Sequence, residues 1–188
     1  VGAGKVLFMY RAQYSNNPTI NIVTTSLNSG FTFGSPVTLS GQAYANQTTC
    51  GLAYSETAGV AYALYVDGNN LKYAIINITG SSPVIESTHM VQEGIANPSY
   101  FGDIAIKDNY VVVTYVDRQP TGFNFAKVVG GYIDSATKQI TFGTDQRVSF
   151  SDIGRGGLTV VPTKFNNFAV LTIENTAYVL SNYSVATD

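Results

Sequence analysis

The sequence predicts an all-β protein built from about four consecutive antiparallel meander repeats, of which the first and the last are incomplete. Short runs in which apolar and polar residues alternate recur along the whole chain, whereas helical periodicity is nearly absent. The run LAY at 52–54 also recurs as IAI at 104–106 and as LTV at 158–160, at intervals of 52 and 54 residues. A period of this length is typical of stacked or circular arrays of supersecondary units.

The third repeat shows the complete unit of four strands joined by short turns that contain Asp, Asn, Pro or Gly. We expect its strands at 102–107, 110–117, 124–134 and 140–150. The second repeat has the same order, and its turn at 67–70 (Asp-Gly-Asn-Asn) is the strongest hairpin sequence in the chain.

The terminal repeats each lack one strand of this unit. The first supplies strands two to four and the fourth supplies strands one to three, so the four repeats contain three, four, four and three strands. We place them, within one domain at 1–188, at about 5–41, 48–94, 100–151 and 156–186.

Two short sequences recur within these units. Tyr-Val-Asp occurs at 65–67 and 115–117, and Phe-Thr-Phe-Gly at 31–34 matches Ile-Thr-Phe-Gly at 140–143. Four-stranded meanders that repeat at about 50 residues resemble the blades of β-propellers, here those of extracellular, phage-tail or adhesin-like repeat proteins. The resemblance covers almost the whole chain and implies a propeller-like fold. The first repeat departs from it with Tyr-Arg-Ala at 10–12, and the fourth with Thr-Ile-Glu at 172–174.

Composition limits the partners and the compartment. Charged residues make up 12% of the 188 residues, about half the usual share, and the net charge is −2. Nucleic acid is therefore not an expected partner, and no apolar run approaches the roughly 20 residues that span a membrane. The single Cys50 cannot form an internal disulfide. A start at Val1 suits a fragment or a secreted protein after signal removal, so we expect an extracellular location.

Acidic residues end strand two in three successive repeats, at Asp67, Asp117 and Glu174. Acids repeated at one end of a propeller are candidate contacts for calcium or for sugar hydroxyls. An Asp at a strand end also caps the following turn by accepting bonds from backbone N–H groups, and this structural role is the one we favour. The chain has no Asp-x-Asp-x-Asp-Gly loop, so we predict no calcium site.

Tyrosines in predicted loops are a second set of candidate ligand contacts. A tyrosine ring stacks on the apolar face of a sugar while its hydroxyl stays hydrated. Binding residues concentrate in loops. The loop tyrosines are Tyr14, Tyr44 and Tyr100.

No catalytic constellation stands out. His89 is the single histidine, which argues against a histidine-based metal site or a Ser-His-Asp triad. Carboxylate pairs for glycoside hydrolysis are available as Asp103 with Asp117 or Glu86 with Glu93, but their neighbours select neither pair. We therefore expect no cofactor, no metal and no enzymatic activity.

Three Asn-x-Ser/Thr sequences are candidate N-glycosylation sites, at Asn46, Asn77 and Asn182. Asn46 lies in a predicted loop between repeats and is the best candidate of the three.

Two main functions compete on these observations. The first is a non-enzymatic extracellular structural or adhesive protein that associates with itself head-to-tail. In that hypothesis the open edges of the terminal sheets pair between copies and build a fibril or surface layer. The alternative is a lectin-like module that binds glycans, and a propeller glycosidase comes third.

Overall fold

A computed structural model describes residues 4–11, 17–26, 30–39, 51–95, 102–118, 122–149, 158–164, 167–174 and 177–185. All regular secondary structure in these ranges is β-strand, arranged as four separate antiparallel sheets in chain order. None of the four sheets closes on itself within the described ranges. The predicted all-β meander fold is confirmed.

The first two sheets follow the chain in simple up-and-down order. The first sheet contains β1 (Lys5–Arg11), β2 (Pro18–Ser26), β3 (Gly30–Phe33) and β4 (Val37–Thr38). The second sheet contains β5 (Gly51–Ser55), β6 (Val60–Asp67), β7 (Asn70–Asn77) and β8 (Val84–Gln92).

The last two sheets continue the same order. The third sheet contains β9 (Gly102–Lys107), β10 (Tyr110–Arg118), β11 (Asn124–Ile133), β12 (Ile140–Phe142) and β13 (Gln146–Arg147). The fourth sheet contains β14 (Leu158–Pro162), β15 (Asn167–Glu174) and β16 (Ala177–Ser184).

The outermost strand is broken in the first and third sheets, where the sequence predicted one continuous strand. β3 and β4 both pair with β2, and β12 and β13 both pair with β11. The break in the first sheet falls at Gly34-Ser35-Pro36, because a proline has no N–H to donate to the ladder. The break in the third sheet follows Gly143, whose N–H still bonds the carbonyl of Gly130 at 2.9 Å.

The hairpin predicted at 67–70 is present. Asp67 pairs with Asn70, and Gly68 has a φ of 61°. Glycine adopts this left-handed conformation without the steric cost of a Cβ, which explains its place in the turn.

Successive sheets pack face to face, and their facing side chains form three apolar clusters. β6 shows why its sequence is almost continuously apolar: Tyr62 and Leu64 face the third sheet, while Ala63 and Tyr65 face the first. A strand buried on both faces has no polar side to present. The third cluster lies between the third and fourth sheets and contains Phe168.

The first strands of the second, third and fourth sheets lie side by side at the inner edge of the array. β9 lies between β5 and β14. Gly51 permits the approach of β5, because a Cβ on it would lie 2.8 Å from the backbone nitrogen of Ile104. On the other side, Asp103 accepts hydrogen bonds from the hydroxyl of Thr159 at 2.6 Å and the N–H of Val160 at 3.2 Å.

Candidate functional site

The three acids that end strand two all lie at one end of their sheets. In the antiparallel registers Asp67 pairs with Asn70, Asp117 with Phe125 and Glu174 with Ala177. We call this the upper end. The side chain of Glu174 lies outside the described part of the chain.

In the second sheet the acid at the upper end is paired with a lysine on the next strand. Lys72 stands opposite Tyr65 in the register, and its Nζ lies 2.5 Å from Oδ2 of Asp67. The Asp67 side chain is 38% exposed, so water screens this ion pair.

The third sheet repeats this arrangement and extends it. Lys127 stands opposite Tyr115, and its Nζ lies 3.0 Å from Oδ2 of Asp117 and 2.8 Å from Oδ2 of Asp145. Tyr115 donates its hydroxyl to the same oxygen of Asp145 at 2.5 Å. We call these four residues the Lys127 cluster.

The Lys127 cluster shifts the proton affinities of its members. Burial, the hydrogen bond to Asp145 and the charges of Asp145 and Asp117 all raise the pKa of Tyr115 well above its usual range. Burial by itself raises the pKa of Asp145. The bonds from Lys127 and Tyr115 outweigh that effect, and the pKa of Asp145 lies below its ordinary value. At neutral pH Asp145 is therefore ionised and Tyr115 is a neutral phenol.

These ion pairs were not among the roles that the sequence suggested for the acids. Asp67 and Asp117 each form an ion pair with a lysine, and Lys127 binds Asp117 and Asp145 together. The lysines were missed, although Lys72 and Lys127 each follow a Tyr-Val-Asp sequence at the position opposite its tyrosine. The fourth sheet has Thr172 opposite Val179 at this place.

Neither carboxylate pair considered for hydrolysis is assembled. Asp103 bonds Thr159 in the fourth sheet, whereas Asp117 lies on the same face of the sheet as Tyr115, which belongs to the cluster facing the second sheet. Glu86 is instead bound by Lys138 at 2.9 Å. No group of three or more His, Cys, Asp or Glu side chains that could hold a metal ion is present in the described ranges.

Several predicted contacts fall on residues that are not described. Tyr14, Tyr44, Tyr100 and Asn46 lie outside the described ranges. His89 is half-buried in β8, where its Nε2 lies 2.8 Å from the hydroxyl of Ser87 and its ring stacks on Tyr73.

The remaining two glycosylation candidates have different surroundings. Asn77 is half-buried and fully engaged: its Oδ1 accepts bonds from the N–H and hydroxyl of Thr79, and its Nδ2 donates to Glu86 at 3.0 Å. Asn182 is exposed on β16, and the hydroxyl of Ser184 in its sequon bonds Oδ1 of Asn167.

A cleft of about 350 Å³ opens between the third and fourth sheets, away from the inner strands. It lies where the fourth sheet, with three described strands, leaves the outer part of the third sheet uncovered. Its lining is formed by Gly130, Gly131, Tyr132, Thr141, Gly143, Thr144, Gln146, Tyr183, Ser184 and Val185, none of which carries a charge.

The two tyrosines of the cleft are fixed by different contacts. A Cβ on Gly130 would lie 3.2 Å from Cε1 of Tyr183, so the absence of this side chain makes room for the ring. Burial raises the pKa of Tyr183 despite a backbone hydrogen bond from Gly130. Tyr132 is 49% exposed, meets Tyr110 edge-on at 5.7 Å and accepts a bond from Nδ2 of Asn109 at 3.2 Å.

No family model matches this sequence, and no curated protein matches it. Solved structures with a similar fold include a mutant of the NanB sialidase from Streptococcus pneumoniae, with a TM-score of 0.61, 13% identity and 92% of this chain covered. The bifunctional GH43-CE protein of Bacteroides eggerthii has a TM-score of 0.56, 12% identity and 100% coverage. The six-bladed β-propeller lectin of Aleuria aurantia has a TM-score of 0.52, 11% identity and 97% coverage.

This chain spans 26% of the sialidase, 24% of the GH43 protein and 64% of the lectin. The expectation of no enzymatic activity, which rested on the lack of a catalytic constellation in the sequence, is contradicted by these comparisons, because a sialidase and a bifunctional GH43-CE protein share the fold. Within the part of the chain that the structure describes, no helix long and apolar enough to cross a membrane is found. At these levels of identity the likeness shows the fold alone, and that fold is a β-propeller type.

Proposed function

We propose that this chain is a carbohydrate-binding module of the propeller type and that the cleft between the third and fourth sheets binds a neutral sugar. The observation that carries this proposal is the lining of the cleft. Two tyrosines, three hydroxyl side chains and one amide surround it, without a charged side chain.

This chemistry suits a sugar better than other small ligands. A tyrosine ring packs on the C–H face of a pyranose, and hydroxyl and amide groups both donate to and accept from sugar hydroxyls. The volume of about 350 Å³ falls at the lower end of the range for small-molecule sites, which is enough for one or two rings. Sialic acids and phosphates need a cation that the lining does not offer, so the preferred sugar is neutral.

The fold supports the proposal without specifying the ligand. The Aleuria aurantia lectin, a propeller described with a fucose recognition mode, matches 97% of this chain. A lectin is among the similar structures, so the glycan-binding alternative takes first place over assembly into a fibril or surface layer. An extracellular location remains part of the proposal, since the low charge and the sequons suit a secreted protein.

Calorimetric titration with neutral oligosaccharides tests the site. Tyr132→Ala removes the exposed aromatic wall, and we expect affinity to fall at least about tenfold, which corresponds to about 1.4 kcal/mol. Tyr178→Ala is the matched control, because Tyr178 is 75% exposed in the fourth sheet but does not line the cleft. Equal affinity in Tyr132→Ala and the parent protein would reject this site. The same samples are examined for released sugar, because enzymes share the fold.

A further inference from the structure

The four sheets form three internal interfaces, and each interface joins two different faces of the repeat. Each sheet packs on the following sheet through the face that points toward the fourth sheet, and the following sheet contributes the face that points toward the first. Between the second and third sheets, β6 and β7 pack on β10 and β12 in this way. Leu64 and Tyr73 supply one side between the second and third sheets, and Tyr115 and Ile140 supply the other. Each of these four side chains is at most 8% exposed.

The outer face of the first sheet corresponds to the side of this interface that the third sheet supplies, but in the first sheet this side is exposed. Two periods earlier in the chain, Phe31 and Phe33 occupy the positions of Ile140 and Phe142. Phe31 is 72% exposed and Phe33 is 65% exposed, whereas Ile140 is 8% exposed. Phe8 belongs to the same face, and the centroid of its ring lies 6.4 Å from that of Phe33. We call Val6, Phe8, Tyr10, Phe31 and Phe33 the head face.

The outer face of the fourth sheet corresponds to the side of the interface that the second sheet supplies. Leu171 stands opposite Leu180 in the register, as Leu64 stands opposite Tyr73 in the second sheet. Leu180 is 69% exposed, whereas Leu64 and Tyr73 are at most 1% exposed. We call Val161, Leu171, Tyr178 and Leu180 the tail face.

Each face presents exposed apolar side chains, and neither carries a charge among its defined residues. Contiguous exposed apolar side chains of this kind mark interaction surfaces. The two faces do not meet within the chain, since no apolar cluster of the described residues joins the first and fourth sheets. An uncharged face favours an uncharged partner. Leu171 and Leu180 of the tail face occupy the positions of Leu64 and Tyr73, which pack on the face of the third sheet that corresponds to the head face.

We propose that the head face of one copy packs on the tail face of a second copy and continues the array of sheets between molecules. This contact is heterologous: it uses two different surfaces, so it forms a ring when the rotation closes and an open filament when it does not. It replaces the strand-edge pairing expected from the sequence, because successive sheets within the chain meet through their faces and not through the edges of β1 and β16.

The tail face also links assembly to modification. Asn182 stands opposite Ala169 in the register, on the same side of the fourth sheet as Leu180. A glycan on Asn182 would project from the tail face and block the second copy. A chain glycosylated at Asn182 should therefore terminate the assembly at its tail face.

Light scattering after size exclusion, over a concentration series of the unglycosylated chain, tests the contact. We expect the mass to rise with concentration, and Phe33→Asp and Leu180→Asp each to remain monomeric. A mixture of these two variants is the decisive sample, because each retains the face that the other has lost. It should give a dimer of one copy of each and nothing larger, with assembly at least tenfold stronger than in either variant alone.

The control is Val84→Asp, which places the same charge on a side chain that is 58% exposed but belongs to neither face. It should assemble like the parent chain, and circular dichroism should show that all three variants are folded. A parent chain that stays monomeric at millimolar concentration would overturn the proposal. So would a mixture that stays monomeric, or assembly lost in only one of the two variants.

Discussion

Tyr115 and Lys127 stand opposite each other on neighbouring strands, and both bind the same oxygen of Asp145. The phenol donates at 2.5 Å and the ammonium at 2.8 Å. Through this oxygen, the loop that interrupts the outermost strand is tied to the two central strands of the third sheet. The Lys127 cluster is thus a local clamp at the upper end, and its contribution to stability can be measured.

Replacing Lys127 with methionine should destabilise the protein by about 1.5–3 kcal/mol, because Asp117 and Asp145 lose their cationic partner while they stay partly buried. Chemical denaturation measures the change. Lys164→Met is the control, since Lys164 is exposed and the substitution should cost less than about 0.5 kcal/mol. Equal effects of the two substitutions would contradict the clamp.

Acid should weaken the fold through Asp145 and Glu86. The hydrogen bond from Lys138 is the largest cause that lowers the pKa of Glu86, and Lys127 and Tyr115 lower that of Asp145 against the effect of burial. A carboxyl with a depressed pKa in the folded state stabilises the protein above its unfolded pKa, near 4.5 for Glu and 3.8 for Asp. That stability is lost as the pH falls through the lower folded values.

Thermal unfolding at steps between pH 7 and pH 2.5 measures this loss. The midpoint should be nearly flat down to about pH 5 and fall below pH 4.5. In Lys127→Met the midpoint should fall less steeply with pH, because Asp145 has lost the ammonium group that lowers its pKa. An identical slope in the variant would separate the acid sensitivity from the Lys127 cluster.

Alkali should unfold the protein through its buried tyrosines. Burial raises the pKa of Tyr65, Tyr73 and Tyr183 above 10.0. A raised folded pKa means that the stabilisation is complete below pH 10 and is lost as the pH rises through the folded value. Absorbance at alkaline pH should show these phenols ionising together with the loss of structure. Smooth ionisation of all 13 tyrosines near pH 10 in a folded chain would contradict their burial.

Gly51→Ala should cost about 1–3 kcal/mol, because the new Cβ would lie 2.8 Å from the backbone nitrogen of Ile104 and 3.0 Å from the Cα of Asp103. Gly80→Ala is the matched control, since its Cβ would meet nothing closer than 3.7 Å. Denaturation midpoints compare the two. A neutral Gly51→Ala variant would mean that the inner strands are further apart than described.

Tyr73→Phe should cost about 1–3 kcal/mol, since the N–H of Ile140 donates to the Tyr73 hydroxyl at 2.8 Å in a buried position. The variant leaves that N–H without an acceptor between the second and third sheets. Tyr178→Phe changes an exposed hydroxyl and should be neutral. Protection of the Ile140 amide against hydrogen exchange should fall in Tyr73→Phe and stay unchanged in Tyr178→Phe.

Expression in a glycosylating, secreting host should modify Asn182 more fully than Asn77, because the amide nitrogen of Asn77 already donates to Glu86. Intact mass before and after deglycosylation, in the parent and in Asn182→Gln, measures the occupancy. A mass equal to that of the bare chain would remove glycosylation from the account.

The sequence was sufficient for the fold because its signals are local. Alternation of apolar residues, the Asp-Gly-Asn turn at 67–70 and the period of about 50 residues each depend on neighbours along the chain. The break at Pro36 was readable in principle, since proline cannot donate within a ladder.

The candidate site was harder to predict from the sequence, because it depends on contacts across the sheets. Lys127 meets Asp145 only after two strands and a broken edge are in place, and the cleft around Tyr132 and Tyr183 joins residues about 50 positions apart. No spacing rule brings such residues together before the packing of the third and fourth sheets is known.

A glycan array probed with the unglycosylated chain tests the central claim most directly. Carbohydrate binding by the uncharged cleft predicts retention on a defined set of neutral glycans, competed by the same sugar in solution and lost in Tyr132→Ala. A folded chain that is retained on no neutral glycan, or is retained equally by the Tyr132→Ala variant, would contradict it.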